Sequence, residues 1–478
     1  MSALVRPLAA AVLAALIGLG AVLILYTLRP ALTFEMDGPM PSFVQGIHGP
    51  ERDGSTTFAW TSDRVEIDLD GLNRGGAWFC TLQYRGGSRG PGLPAPTVDV
   101  TLDGARVARG DSAPDFQELA FRIPGADRAG ARIGLTIAPT FVPGGADTRT
   151  LGVQVDRFDC RPEGLALPPR SALVAVGGAA AFAGGVLAIA GVSIWGVLLV
   201  ALAMGLGGAA MLTIAGGAYG AYPHVLLRTA LWTSVVVAGV ITALDRLARE
   251  RLSSAARAVC VMSGVAFWLK FIALLQPAKP DVDVVFNVHR LDAVLAGQYH
   301  FTQKFIGGVE MPYAIGLYLF TGLWTWITSD HMALIRGVTV ATDVAAGALL
   351  YPIVLRAWGQ RRTAVLAVLA YQLLPLAYGV LGNANLPNIF GQSMALVVMA
   401  AAVTWSLAPR RIGSLLAFAA VLAWALVSHV STAATLTATL GALAVLYFWR
   451  GDLVRRRSSV AIVIAMLIAA ALAWFAFY

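Results

Sequence analysis

The most polar stretch in the second half of this chain, residues 276–308, carries Asp281, Asp283, His289, Arg290 and Asp292 close together. These residue types move protons and hold anions. A carboxylate can orient or ionise an imidazole, and a guanidinium binds phosphate through its fork of N–H donors. Pro280 followed by Asp281 suits a helix start, because an aspartate cap accepts from the free N–H groups of the first turn. In a helix beginning there, His289 and Asp292 are three apart and share a face, and Asp281 and His289 fall on roughly the same side. The same spacing fits an ordinary interfacial helix, with Leu291, Val294 and Leu295 on lipid and the charges in water. The residues alone leave both readings open.

Further polar groups interrupt apolar runs later in the chain. Asn383, Asn385, Asn388 and Gln392 follow one such run, and Ser428-His429-Val430-Ser431-Thr432 breaks another. A histidine between two helix halves is costly in a membrane unless it is bonded or faces a cavity. Lys270 is expected to snorkel to the outer interface. Asp343 lies inside an apolar run and should face protein or water. No Walker, His-Glu-x-x-His or Cys-x-x-Cys pattern occurs, which argues against P-loop and zinc chemistry. Glycine pairs such as Gly177-Gly178 and Gly184-Gly185 sit inside apolar runs and are expected to let helices approach closely.

The elements that must position these groups follow from composition. The chain of 478 residues is 57% hydrophobic and 13% charged, with mean hydropathy +0.70; soluble domains carry about 25% charged residues. A polytopic α-helical membrane protein of about twelve helices is expected, since helices close their own backbone hydrogen bonds in hydrocarbon. The net charge of +8 resides largely in short basic loops, so it points to membrane orientation and not to nucleic acid. Residues 1–28 form a retained transmembrane anchor over Pro7–Tyr26. Residues 29–170 break into short strand-like pieces: Thr57–Trp60, Arg64–Leu69, Trp78–Leu82, Thr97–Leu102, Leu119–Ile123 and Leu151–Val155. Their alternation and the intervening turn-formers predict an inserted, extracytoplasmic all-β sandwich or jelly roll. Cys80 and Cys160 are either a disulfide, which that compartment permits, or two separate buried thiols. Cys260 falls inside an apolar helix and reads as packing.

Residues 171–257 supply helices two to four and a cytoplasmic basic loop. Residues 258–478 form the remaining helical region around the outer loop 276–308. The expected spans include Ala258–Leu275, Met311–Ile327, Val338–Leu355, Thr363–Gly379, Ile389–Leu407, Ile412–Val427, Thr432–Trp449 and Val460–Phe477. The charge rule puts 245–257, 356–362, Arg410-Arg411 and 450–457 inside. With Arg6 inside, the β domain, residues 276–308 and the His429 region then share the outer face. One step conflicts. Two crossings between Glu310 and Leu355 would leave 356–362 outside, unless a segment there is re-entrant, a short pass is hidden or the rule is broken.

The run Asp283-Val-Val-Phe-Asn-Val-His289-Arg290-Leu-Asp-Ala-Val-Leu-Ala-Gly297-Gln, with Phe301-Thr-Gln and Met311-Pro312-Tyr-Ala-Ile-Gly-Leu-Tyr318, resembles the first large outer loop of bacterial GT-C glycosyltransferases. Asn385 to Gln392 and Ser428-His429 resemble their later outer-face features, so the likeness spans about 276–432. It implies a GT-C-like core in a bacterial inner (cytoplasmic) membrane, moving a sugar from a polyprenyl-phosphate carrier to a glycan or lipid acceptor of the cell envelope. It also implies Asp283 or Asp281 as general base or as ligands of a divalent cation, magnesium or manganese. Arg290, His289 and His429 would hold the lipid phosphate, with Asn385, Asn388 and Gln392 along the acceptor cavity. Two other function classes compete. A transporter or flippase of a lipid-linked or polysaccharide substrate would also use Asp343 and His429. A non-catalytic glycan-binding scaffold would not need a dozen helices.

Overall fold

A computed structural model of the chain describes residues 5–28, 32–35, 43–54, 56–69, 72–87, 89, 92–127, 130–214, 223–275, 282–304, 308, 310–405, 407–409 and 411–477. It divides into two compact units, Met1–Ser234 with Gln276–Ala278, and Val235–Leu275 with Lys279–Tyr478. Among the described residues ten helices are long and apolar enough to cross a membrane. The protein is therefore a multi-pass membrane protein carrying an inserted β domain of extracytoplasmic type.

In the first unit, α1 (Val5–Leu28) packs against α2 (Arg170–Ile189) and α3 (Ile194–Ile214). Small residues make this possible, since apolar chains gain nothing by leaving lipid and association depends on close packing. A Cβ at Gly184 would lie 2.6 Å from Ala14 Cβ, and one at Gly205 would lie 2.6 Å from the Gly18 carbonyl oxygen. The first helix is thus one member of a three-helix cluster rather than a lone anchor.

Between α1 and α2 the described residues form nine strands: β1 (Leu32–Glu35), β2 (Val44–Asp53), β3 (Thr56–Asp68), β4 (Trp78–Arg85), β5 (Thr97–Leu102), β6 (Ala105–Asp111), β7 (Gln117–Ile123), β8 (Arg132–Ala138) and β9 (Gln154–Pro162). The antiparallel order is β6-β5-β8-β3-β9-β4-β7, with β1 on β9 and β2 on β3. The expected pieces Thr57–Trp60 and Arg64–Leu69 are one long strand, β3, which changes neighbours along its length from β9 to β8. The sheet nearly closes: β6 approaches β7, and the Tyr84 hydroxyl donates to the Asp111 carbonyl at 3.1 Å. Alternation does what a one-faced strand requires, burying Trp78, Cys80, Leu82 and Tyr84 while their neighbours face outward. Cys80 and Cys160 stand directly opposite on β4 and β9 and are joined by a disulfide.

Helix α4 (Pro223–Ala248) leads into the second unit, which contains α5 (Ser254–Leu274), α6 (Val282–Leu295), the short hairpin β10 (Thr302–Lys304) and β11 (Glu310–Pro312), and α7 (Gly316–Gly322). It continues with α8 (His331–Ala348), α9 (Leu350–Trp358), α10 (Arg361–Gln372), α11 (Pro375–Gly382), α12 (Leu386–Thr404), α13 (Ile412–Leu426), α14 (Val430–Arg450) and α15 (Leu453–Phe477). The predicted crossing Met311–Ile327 does not form. The apolar residues of its first half bury against protein instead, with Ile315, Leu317 and Tyr318 at most 1% exposed; the helix stops at Gly322, and Leu323, Trp326 and Ile327 beyond it are exposed. Helices α8 and α9 then make a single crossing, His331–Trp358. Residues 356–362 thereby fall on the same side as 249–253, and the conflict with the charge rule disappears.

Two crossings are broken by proline. Pro352 has no N–H for the Ala348 carbonyl, and the helix turns at Leu349 between α8 and α9. Pro375 likewise cannot serve Tyr371, and Leu373-Leu374 separate α10 from α11.

Candidate functional site

Helix α6 carries most of the predicted chemistry. Asp281 lies outside the described residues. Asp283 is exposed in the first turn of α6. Asn287 and Arg290 follow at spacings of four and three, so all three share a face. The opposite reading of this helix, with its leucines on lipid, is corrected. Leu291 is 0% and Val294 5% exposed, both within a core that includes Ile315, Tyr318, Ile335 and Phe390. Of the three residues expected on lipid, Leu295 alone is exposed.

Arg290 sits in an aromatic slot. Its guanidinium carbon is 4.5 Å from the Phe301 ring centre, 5.0 Å from Phe286 and 5.7 Å from Tyr313. A planar cation held by ring faces keeps its N–H donors in plane, directed away from the rings. Tyr313 stacks on Tyr318 at 6.4 Å, and the Tyr318 hydroxyl donates to Asn287 Oδ1 at 2.8 Å. Burial, then the neighbouring Tyr313, push the Tyr318 phenol well above its ordinary value, so it remains a donor. Asn287 Nδ2 in turn donates to the Asp283 carbonyl at 2.7 Å and to the Ala384 carbonyl at 3.2 Å. One buried amide therefore ties α6, α7 and the turn between α11 and α12.

That turn is tight: Ala384 takes a positive φ of 54°. Asn385 follows at the start of α12, exposed and without a side-chain cap bond. One turn on, Gln392 Nε2 donates to Asn388 Oδ1 at 3.3 Å. The break between α13 and α14 packs beside this group. A Cβ at Gly391 would lie 2.6 Å from His429 Cβ, and one at Gly316 would lie 2.5 Å from Ser428 Oγ. The Gly316 N–H also donates to the Val427 carbonyl at 2.9 Å. His429 shares a hydrogen bond of 2.9 Å with Ser431, and burial lowers its pKa below the usual histidine value. Contiguous contacts thus run from Arg290 through Tyr313, Tyr318 and Asn287 to the α11–α12 turn, and from α7 and α12 to His429.

Other expectations are not met. His289 is exposed and is not paired with Asp292, whose Oδ1 lies 2.7 Å from Nδ1 of His331 at the start of α8. Lys270 does not snorkel. It is 1% exposed, and its Nζ bonds Asp343 Oδ2 at 2.6 Å. Buried Asp343 faces protein, as expected, and its other oxygen accepts from the Tyr371 hydroxyl at 2.8 Å. Sequence reasoning passed over Asn287, His331 and Tyr371. The spacing Asp283–Asn287–Arg290 was a visible signal for the first; the other two are distant in sequence from their partners.

Among the described residues no three His, Cys, Asp or Glu side chains gather to hold a metal ion. No family model matches the chain, and no curated protein matches it. Among solved structures, the GH26-CBM35 β-(1,4)-mannanase of Podospora anserina is 10% identical over 33% of this chain, with a TM-score of 0.19. The acetyl xylan esterase Est2A of the rumen bacterium Butyrivibrio proteoclasticus is 12% identical over 29%, with a TM-score of 0.18. The match spans about a third of the length of each, 34% in both cases.

Proposed function

We propose that the chain is a membrane glycosyltransferase of a bacterial cytoplasmic membrane, passing a sugar from a polyprenyl-phosphate donor to a cell-envelope or polysaccharide acceptor on the outer face. The observation that supports this most is the aromatic slot holding Arg290 on the α6 face that also bears Asp283. A pre-oriented guanidinium suits the phosphate of the donor and, more, the charge that grows on it as the sugar leaves. In the reaction the Asp283 carboxylate takes the proton of the acceptor hydroxyl. The acceptor oxygen bonds the anomeric carbon as the carbon–oxygen bond to phosphate breaks, and polyprenyl phosphate leaves with that electron pair against Arg290. His289 and His429 belong to the phosphate side in this reading, and Asn385, Asn388 and Gln392 to the acceptor. A divalent cation enters only through the resemblance, on Asp281 and Asp283, and no step above depends on it.

Transfer of radiolabelled sugar from a panel of polyprenyl-phosphate donors in proteoliposomes tests the proposal. Asp283→Asn is expected to slow turnover by about 10²–10⁴-fold. Unchanged transfer in Asp281→Asn/Asp283→Asn would sink the site, and chelation with EDTA tests the cation. A transporter or flippase is the second reading, favoured by the buried Lys270–Asp343 pair, whose carboxylate lies on the broken helix α8. Flux of lipid-linked substrate without a covalent product would decide for it.

A further inference from the structure

Lys270 and Asp343 form an ion pair inside the membrane helices, with side chains 0% and 2% exposed. The ammonium comes from α5 and the carboxylate from α8. Tyr371 of α10 donates to the second carboxylate oxygen, and the rings of Tyr371 and Tyr378 lie 5.9 and 5.4 Å from the ammonium. The groups contributed by neighbouring elements are therefore Lys270, Tyr371 and Tyr378; Arg336 lies two turns earlier on α8 itself.

Desolvating two such ions costs several kcal/mol each, and a well-packed apolar pair is often as stable or more so. Stability alone therefore gives little reason for this arrangement. Its location is more telling. The helix that carries the carboxylate and one of the two that meet it are proline-broken, α8 at Leu349 and α10 directly after Gln372, while α5 is continuous. Gln372 donates to the Val344 carbonyl at 2.9 Å, while its own carbonyl oxygen is buried with no hydrogen-bond partner among the described residues. Ionisable groups clustered at discontinuous membrane helices are the construction used to bind and release coupling ions.

We propose that Lys270, Asp343 and Tyr371 form an intramembrane proton-transfer site through which the protein moves protons across the bilayer. The proton on Lys270 Nζ passes along the hydrogen bond to Asp343 Oδ2. One N–H bond breaks and one O–H bond forms, and the ammonium–carboxylate pair becomes an amine and a carboxylic acid. With the Coulomb attraction gone, only a neutral hydrogen bond joins α5 to α8, and α8 is freer to move at its break. The acid then releases its proton to water on one side. The amine takes a proton from water on the other, which restores the pair with one proton moved. Throughout, the Tyr371 hydroxyl holds the carboxyl group in position.

The test measures proton flux in liposomes holding a pH-sensitive dye, driven by a potassium–valinomycin potential, with no sugar donor or acceptor present. It is thus independent of the transferase reading. Wild-type flux is expected to exceed that of protein-free liposomes. Lys270→Met/Asp343→Leu, checked for folding by size exclusion and thermal unfolding, is expected to fall to the protein-free rate. Tyr371→Phe, which leaves the ion pair in place, is expected to slow flux. Wild-type flux equal to protein-free liposomes, a folded double variant with wild-type flux, or an unaffected Tyr371→Phe would each overturn the proposal and leave the pair a structural latch.

Discussion

Asn287 shows how much one side chain can organise in this protein. It is 3% exposed, and its amide accepts from Tyr318 and donates to two backbone carbonyls, one of them at the strained Ala384 turn. Asn287→Ala removes the bonds to the Tyr318 hydroxyl and to the Ala384 carbonyl, at about 1–3 kcal/mol in all. A lowered unfolding midpoint is the expected readout, with Tyr318→Phe costing less because it removes only one bond. Arg290 and Lys are not equivalent here. A lysine ammonium has no planar fork to stack in the slot, so Arg290→Lys is expected to weaken donor binding, read as a raised KM. His429 adds a pH dependence. Burial depresses its pKa in the folded turn, so that turn favours the neutral ring. Its contribution is full above the unfolded value of about 6.5 and is lost as pH falls through the depressed folded value. Amide exchange at residues 427–431, corrected for intrinsic rates, should therefore quicken at mildly acidic pH. His429→Asn should flatten that response.

The informative elements are those that fall short of being membrane helices. Residues 311–327 are as apolar as a crossing, yet α7 has only seven helical residues. Apolarity reports that a segment avoids water and does not say whether lipid or protein covers it. Here protein covers the first half, because Gly316 lets α7 approach Ser428 more closely than any side chain would allow, while Leu323, Trp326 and Ile327 stay exposed. A crossing would put positions 312 and 327 on opposite faces of the membrane. Pro312→Cys and Ile327→Cys, each in a Cys260→Ser background, are instead expected to react with an impermeant thiol reagent from the same side. Labelling from opposite sides would restore the crossing. Gly316→Val should disrupt the packing of α7 against the α13–α14 break, lowering thermal stability while leaving the β domain folded.

Across the whole molecule, a nearly closed sheet and a set of membrane helices place different demands on one chain. The β domain is built from non-local pairings, and its disulfide joins strands 80 residues apart in sequence. Removing such a link from a small domain costs about 2–5 kcal/mol. Reductant is therefore expected to lower the unfolding temperature of the wild type but not of a Cys80→Ala/Cys160→Ala variant. Equal shifts in both would mean that the bond does not constrain the domain.

The sequence by itself determined the class of the protein, because hydropathy, period-2 alternation and basic loops are local signals of how each segment meets lipid or water. It placed the β domain between α1 and α2 and located nearly all the crossings. It also picked out Asp283, Arg290 and His429 as residues worth weighing. Only the tertiary structure decided which groups meet. Asp292 finds His331 and not His289; Lys270 finds Asp343 and Tyr371 and not the interface; Arg290 lies among rings from three separate segments. The partners of Asp292 and Lys270 lie tens of residues away and leave no periodic trace; among the rings around Arg290 only Phe286, one turn back on α6, stands at helical spacing. A side chain's environment is set by what packs over it, and packing is a property of the folded chain.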